Sequence, residues 1–107
     1  MAAPAYGHSG RALWGAAARG GAQACGRRAG RIAVGDRADL VVIAPTEETT
    51  HSAPDYILDA AIFAAASPRV RHVMTSGVWV VRDGVHRDEA AIDAAYIQAL
   101  RSLQETL

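Results

Sequence analysis

The segment ADLVVIA, residues 38–44, constrains the fold of this chain more than any other. Leu40, Val41, Val42 and Ile43 follow one another with no polar residue between them. A strand with one face in water alternates apolar and polar side chains; a continuous apolar run marks a strand covered on both faces. The later stretch VRHVMTSGVWVVRDG makes the same demand. Residues 70–75 and 78–82 read as a hairpin, with Ser76 and Gly77 as its two-residue turn. In that register Met74 lies opposite Trp79, His72 opposite Val81, and Arg71 opposite Arg82. Val70, His72, Met74, Trp79 and Val81 then share one face, and Val73, Val78 and Val80 the other. A two-stranded ribbon cannot cover both of its own faces, so these strands require neighbouring layers.

The remaining elements follow from spacing and punctuation. Residues 1–9 are expected to be a disordered tail. Leu13, Ala17, Gly21 and Ala24 recur at helical intervals and predict a helix over 10–25, with Ser9 as N-cap and Gly26 as the left-handed residue past its end. Gly20 and Gly21 inside that helix each cost about 1 kcal/mol relative to alanine. Such a cost points to the close approach of another backbone, yet no segment of the chain stands out as the partner. Residues 31–34 are expected as a short strand, turned by residues 35–37 into the strand at 38–44. A polar loop over 45–54 leads to a helix over 55–65, ended by Ser67 and Pro68. Asp83 and Gly84 make a second turn. Asp88 N-caps a last helix, which carries Ile92, Tyr96, Ala99, Leu100 and Leu103 on one face and Asp93, Gln98, Arg101 and Glu105 on the other. The fold class is α+β.

Composition excludes several functions. The charge is zero overall but split, with six arginines and one acid up to Arg37, then five arginines and ten acids. The arginines of the basic part are scattered among glycine and alanine with no aromatic interleaving, unlike a nucleic-acid footprint. Pairing of the two parts with each other, or with another domain, fits better. The single cysteine, Cys25, rules out an internal disulfide framework and any CxxC motif. No apolar run reaches the ~18 residues of a membrane span, and the first ten residues lack the charged and apolar regions of a signal peptide. A cytoplasmic protein is expected.

No catalytic, substrate-binding or metal-binding residue emerges. None of the four histidines forms His-x-His or has a partner four residues on. His8 falls in the tail, His51 in the polar loop and His86 after a turn. His72, among Val70, Met74 and Trp79, reads as a packed, hydrogen-bonded histidine. Cys25 stands at a helix C-terminus, the end that disfavours a thiolate. Glu47 with Glu48 and Asp88 with Glu89 read as solvated turns and caps. Ser9, Ser52, Ser67, Ser76 and Ser102 lack a GxSxG setting. GRRAGRIAVG is not a GxGxxG, so Arg27, Arg28 and Arg31 read as exposed turn arginines rather than an anion site.

With these residues in view, GRIAVGDRADLVVIA resembles the G-x-I-x-x-G-x-x-A-D-L-V-V segment near the C-terminus of amidohydrolase-superfamily enzymes. VRHVMTSGVWVVRDGVH resembles their later V-x-x-V-x-x-x-G-x-x-V-x-x-G hairpin. Adding LWGAAARGGAQACGR and LDAAIFAAASPRVRHVM, the likeness spans residues 10–107 and is nearest to the formimidoylglutamate deiminases of histidine degradation. The resemblance implies a C-terminal portion of a composite β-sandwich, completed by strands from the other end of the parent chain. Residues 10–26 would be the remnant of the last helix of a (β/α)8 barrel, the barrel itself absent. Residues 27–107 would be the sandwich portion with its closing helix. It implies zinc or another divalent metal in the parent enzyme and none in this chain, whose catalytic, substrate-binding and metal residues are none. The chain alone would be inactive, partnered by the missing barrel or a second copy of itself. Two alternatives stand beside this: a portion of an imidazolonepropionase, guanine deaminase or chlorohydrolase-like enzyme, or a free-standing, oligomerising α+β module without activity.

Overall fold

The computed structural model describes residues 8–64 and 69–107. Among the described residues three α-helices, α1 (Ser9–Ala24), α2 (Pro54–Phe63) and α3 (Glu89–Thr106), and a 3-10 turn at Glu47–Thr49 accompany four strands, β1 (Leu40–Ala44), β2 (Arg69–Thr75), β3 (Val78–Arg82) and β4 (Val85–His86). The strands form one antiparallel sheet in the order β1-β2-β3-β4. The α+β class holds.

Both turns of the meander follow from their residues. Ser76 and Gly77 have φ of 50° and 79°, as do Asp83 and Gly84. Two successive positive φ values give the turn whose twist matches a hairpin, and glycine takes the second at no steric cost. The register departs from expectation in one place. Met74 pairs with Trp79 as expected, but a bulge then sets Val81 opposite Val73 rather than His72. One extra residue on β3 shifts every later pairing, and Val81 moves to the face of Val73 and Val41. A second irregularity between Val42 and Ile43 brings Ile43 opposite Val70.

The strand expected at 31–34 does not form; β1 begins at Leu40. A strand needs a ladder partner, and this segment has none among the described residues, leaving Ile32 90% exposed. Ser9 is the first residue of α1 rather than its cap, which is His8. The left-handed Gly26 is where expected, with φ of 65°. Helix α2 ends at Phe63, and the expected stop at Ser67 and Pro68 lies outside the described residues, as do residues 1–7.

The expectation that α1 lacks a partner is overturned: it packs against α2. The close approach is not at Gly20 or Gly21, where an added Cβ would meet nothing. It is at Gly10, the buried residue of α1, where a Cβ would lie 2.7 Å from Asp59 Cα.

Among the described residues no apolar side chain is buried. Val41 is 58% exposed, and every residue of α3 is exposed, including Ile92, Tyr96, Leu100 and Leu103. Helix α3 therefore covers no sheet face within this chain. The accessible surface is 8380 Å², against about 5700 Å² for a compact monomer of this mass. The radius of gyration is 18.3 Å, against about 13 Å for a compact domain of this length. The strands have the two-faced apolar pattern of an interior, with no interior around them.

Candidate functional site

Among the described residues, three polar clusters link elements of the fold. The first is the entry to β1. Asp39 directs one carboxylate oxygen to the Ser76 N–H at 2.8 Å and the other to Arg37 Nε at 2.9 Å. Arg37 also donates to the Ser76 hydroxyl, and the Gly77 N–H donates to the Ala38 carbonyl at 3.0 Å. Asp39 thus ties the start of β1 to the β2–β3 turn. The Ser76 N–H, and then Arg37, hold its carboxyl below the usual carboxylate range. A lowered folded-state value means this stabilisation is present above the ordinary value of 3.8 and is lost as pH falls through the lower one. We expect the Ser76 amide to keep its exchange protection down to that pH and lose it below. The Asp39→Ala variant should show weak protection there at every pH, and unchanged Ser76 exchange in that variant would refute the tie.

The second place is β2–β3. The Asp83 N–H donates to His72 Nδ1 at 3.0 Å, and the His72 ring meets Trp79 edge-on at a centroid distance of 5.7 Å. The Arg82 guanidinium lies 5.2 Å from the Trp79 ring centre. His72 is thus the packed, hydrogen-bonded residue the sequence suggests. Arg71, expected opposite Arg82, instead pairs with Asp83 at 3.3 Å. An adjoining cleft of about 530 Å³ is lined by Ala44, Pro45, Thr50, Val70, Arg71, Asp83 and Gly84. It holds no nucleophile set beside a base.

The third is the α1–α2 contact. His8 Nδ1 lies 2.8 Å from Asp59 Oδ2, and the Gly10 N–H donates to Asp59 Oδ1 at 2.6 Å. The His8 ring meets Tyr56 edge-on at 4.8 Å, and Arg11 pairs with Asp55 at 3.1 Å. Sequence reading placed His8 in a tail and gave Asp59 no role. The partners are 51 residues apart, and the one local sign was a glycine in the first turn of α1.

The remaining candidates stay apart. Cys25 is exposed at the end of α1. Arg31 pairs with Asp36 at 2.6 Å, and Arg28 lies 3.9 Å from it. The Arg11–Asp55 pair joins the basic and acidic parts of the chain. The His86 N–H donates to Glu89 at 3.2 Å, while His86 Nδ1 accepts the Asp88 N–H at 3.0 Å. Asp88 occupies the N-cap of α3 but makes no side-chain cap bond. Ser67 lies outside the described residues. Among the described residues no group of three or more His, Cys, Asp or Glu side chains converges to hold a metal ion. None of the described helices is long and apolar enough to cross a membrane.

The described residues thus form a meandering sheet with open apolar faces and a packed pair of helices. The sequence profile of the amidohydrolase family matches residues 11–80, and the chain belongs to that family. It is 45% identical over 95 residues to the formimidoylglutamate deiminase of Pseudomonas aeruginosa, a match covering 88% of this chain and 21% of that protein. It also resembles the crystal structure of an amidohydrolase from Brucella melitensis, with a TM-score of 0.73 and 35% identity over 92% of this chain and 22% of that one. The chain therefore spans about a fifth of the relatives it matches.

Proposed function

We propose that this chain is the non-catalytic C-terminal portion of a metal-dependent, cytoplasmic amidohydrolase. The whole enzyme, on this reading, hydrolyses N-formimino-L-glutamate to N-formyl-L-glutamate and ammonia in histidine degradation. One observation carries the reading: strong likeness to a formimidoylglutamate deiminase, confined to about a fifth of that protein. In the reaction the formimino carbon exchanges its terminal nitrogen for the oxygen of water, and ammonia leaves. The metal implied by the family finds no fit among the described residues, where no three His, Cys, Asp or Glu side chains converge. The chain's part in the reaction is structural. Its sheet completes a composite sandwich with strands of a barrel-bearing portion, α1 serves as the last barrel helix, and α3 closes the sandwich.

The direct test uses the purified chain. It is expected to bind no stoichiometric zinc by equilibrium dialysis and to release no ammonia from N-formimino-L-glutamate. Turnover above background would overturn the structural role. A second reading, a self-associating module, is favoured by the exposed apolar faces of β1 and α3. A discrete folded dimer in sedimentation velocity would establish it over the first.

A further inference from the structure

We propose that Asp59 is a clasp that caps α1 from α2 and fixes the first turn of α1 against that helix. The opening N–H groups of a helix lack intrahelical partners and are usually met by the N-cap side chain. Here the N-cap is His8, whose side chain makes no cap bond. The service comes from 49 residues away: Asp59 Oδ1 accepts the Gly10 N–H at 2.6 Å. The other carboxylate oxygen takes His8 Nδ1 at 2.8 Å, so both oxygens of one side chain hold the first turn of α1. Tyr56, one turn earlier on α2, backs the His8 ring at 4.8 Å. Asp55 holds Arg11 at 3.1 Å. These are the titratable and charged groups around the clasp.

Apolar contact here is partial: Trp14, Ile57, Leu58 and Ile62 are half-buried. Gly10 is the one buried residue of α1, α2 has none, and Leu13 is 51% exposed. Gly10 is what permits the clasp, because a Cβ there would lie 2.5 Å from Asp59 Oδ1. The device is sensitive to protonation. The His8 hydrogen bond, then the Gly10 N–H, lower the Asp59 carboxyl from its ordinary value of 3.8. The clasp is closed above that value and opens as pH falls through the lower one. If α1 is the last barrel helix (which rests on the proposed function), its N-terminus lies at the face where barrel active sites are built. The clasp then couples α2 to the loop entering that face.

The test reads the full chain by NMR and is independent of zinc or turnover. In the unsubstituted chain the Asp59 carboxyl should titrate below 3.8, and the Gly10 amide should exchange slowly. Asp59→Ala should speed exchange at residue 10 about tenfold, the loss of one charge-assisted hydrogen bond, and leave Ser76 unchanged. Gly10→Ala guards against a variant that simply fails to fold, because alanine raises the intrinsic helix propensity of α1. It should keep α1 helical yet return the Asp59 titration to the ordinary value. A Gly10 amide that exchanges equally fast with and without Asp59, or an Asp59 titration unmoved by Gly10→Ala, would overturn the clasp. Zinc binding or ammonia release by the chain would overturn the proposed function and leave these readings standing.

Discussion

Heated alone at micromolar concentration, the chain is expected to lose its structure gradually, with no sharp heat-absorption peak. Cooperative unfolding draws its enthalpy and heat capacity from surface released together, and a compact domain of about 100 residues absorbs about 60–80 kcal/mol at its midpoint. Here no described apolar residue is buried. The exposed surface exceeds that of a compact monomer by about half. The sheet and the α1–α2 pair have no shared interior that would make them melt as one. Scanning calorimetry checks this. A single two-state peak of full enthalpy, unchanged on dilution, would mean that the chain seals its own core and that the open faces of β1 and α3 close in solution.

The second large effect is expected on supplying the complement. On the proposed reading, the Pseudomonas aeruginosa relative shortened by the fifth that this chain matches should be inactive or poorly soluble alone. Co-expressed with this chain, it should yield a one-to-one complex with ammonia-releasing activity well above either part. Amides of β1 and the β2–β3 ribbon should gain strong exchange protection in the complex, as their faces leave water. Obligate interfaces bury about 2000–5000 Å² in total over both partners, and the surplus surface of this chain, counted on one side, puts such an interface at the upper end of that range. A shortened relative that is fully active without this chain would end the complementation account. So would a complex in which β1 and the ribbon gain no protection.

How much could be read beforehand depended on whether the cause was local. Ser76-Gly77 and Asp83-Gly84 were legible because a tight hairpin requires positive φ, and the residues that tolerate it stand in the chain itself. Helix α3 was legible from its apolar spacing, although no structure followed from that stripe because nothing here packs on it. The bulge at Val80 left no mark, since valine suits both a regular and a bulged position. Residues 31–34 look like a strand in composition, yet a strand exists by its partner, and none adjoins them. Of the three polar clusters, His72 was readable from its place on a strand face. Asp39 was visible as a motif residue, but its hold on Ser76 was not. The His8–Asp59 contact spans too much sequence for any spacing rule to reach.

Strand β1 ends the sheet, and among the described residues no strand lies along its outer side. Leu40–Ala44 carries neither a charge nor a proline, the usual guards against the addition of a foreign chain. That row of bare amides and carbonyls is open to a strand from another chain, and on the proposed reading the barrel-bearing portion supplies it. Surplus copies would have one another as the nearest substitute, and two β1 edges paired with each other would close as a dimer.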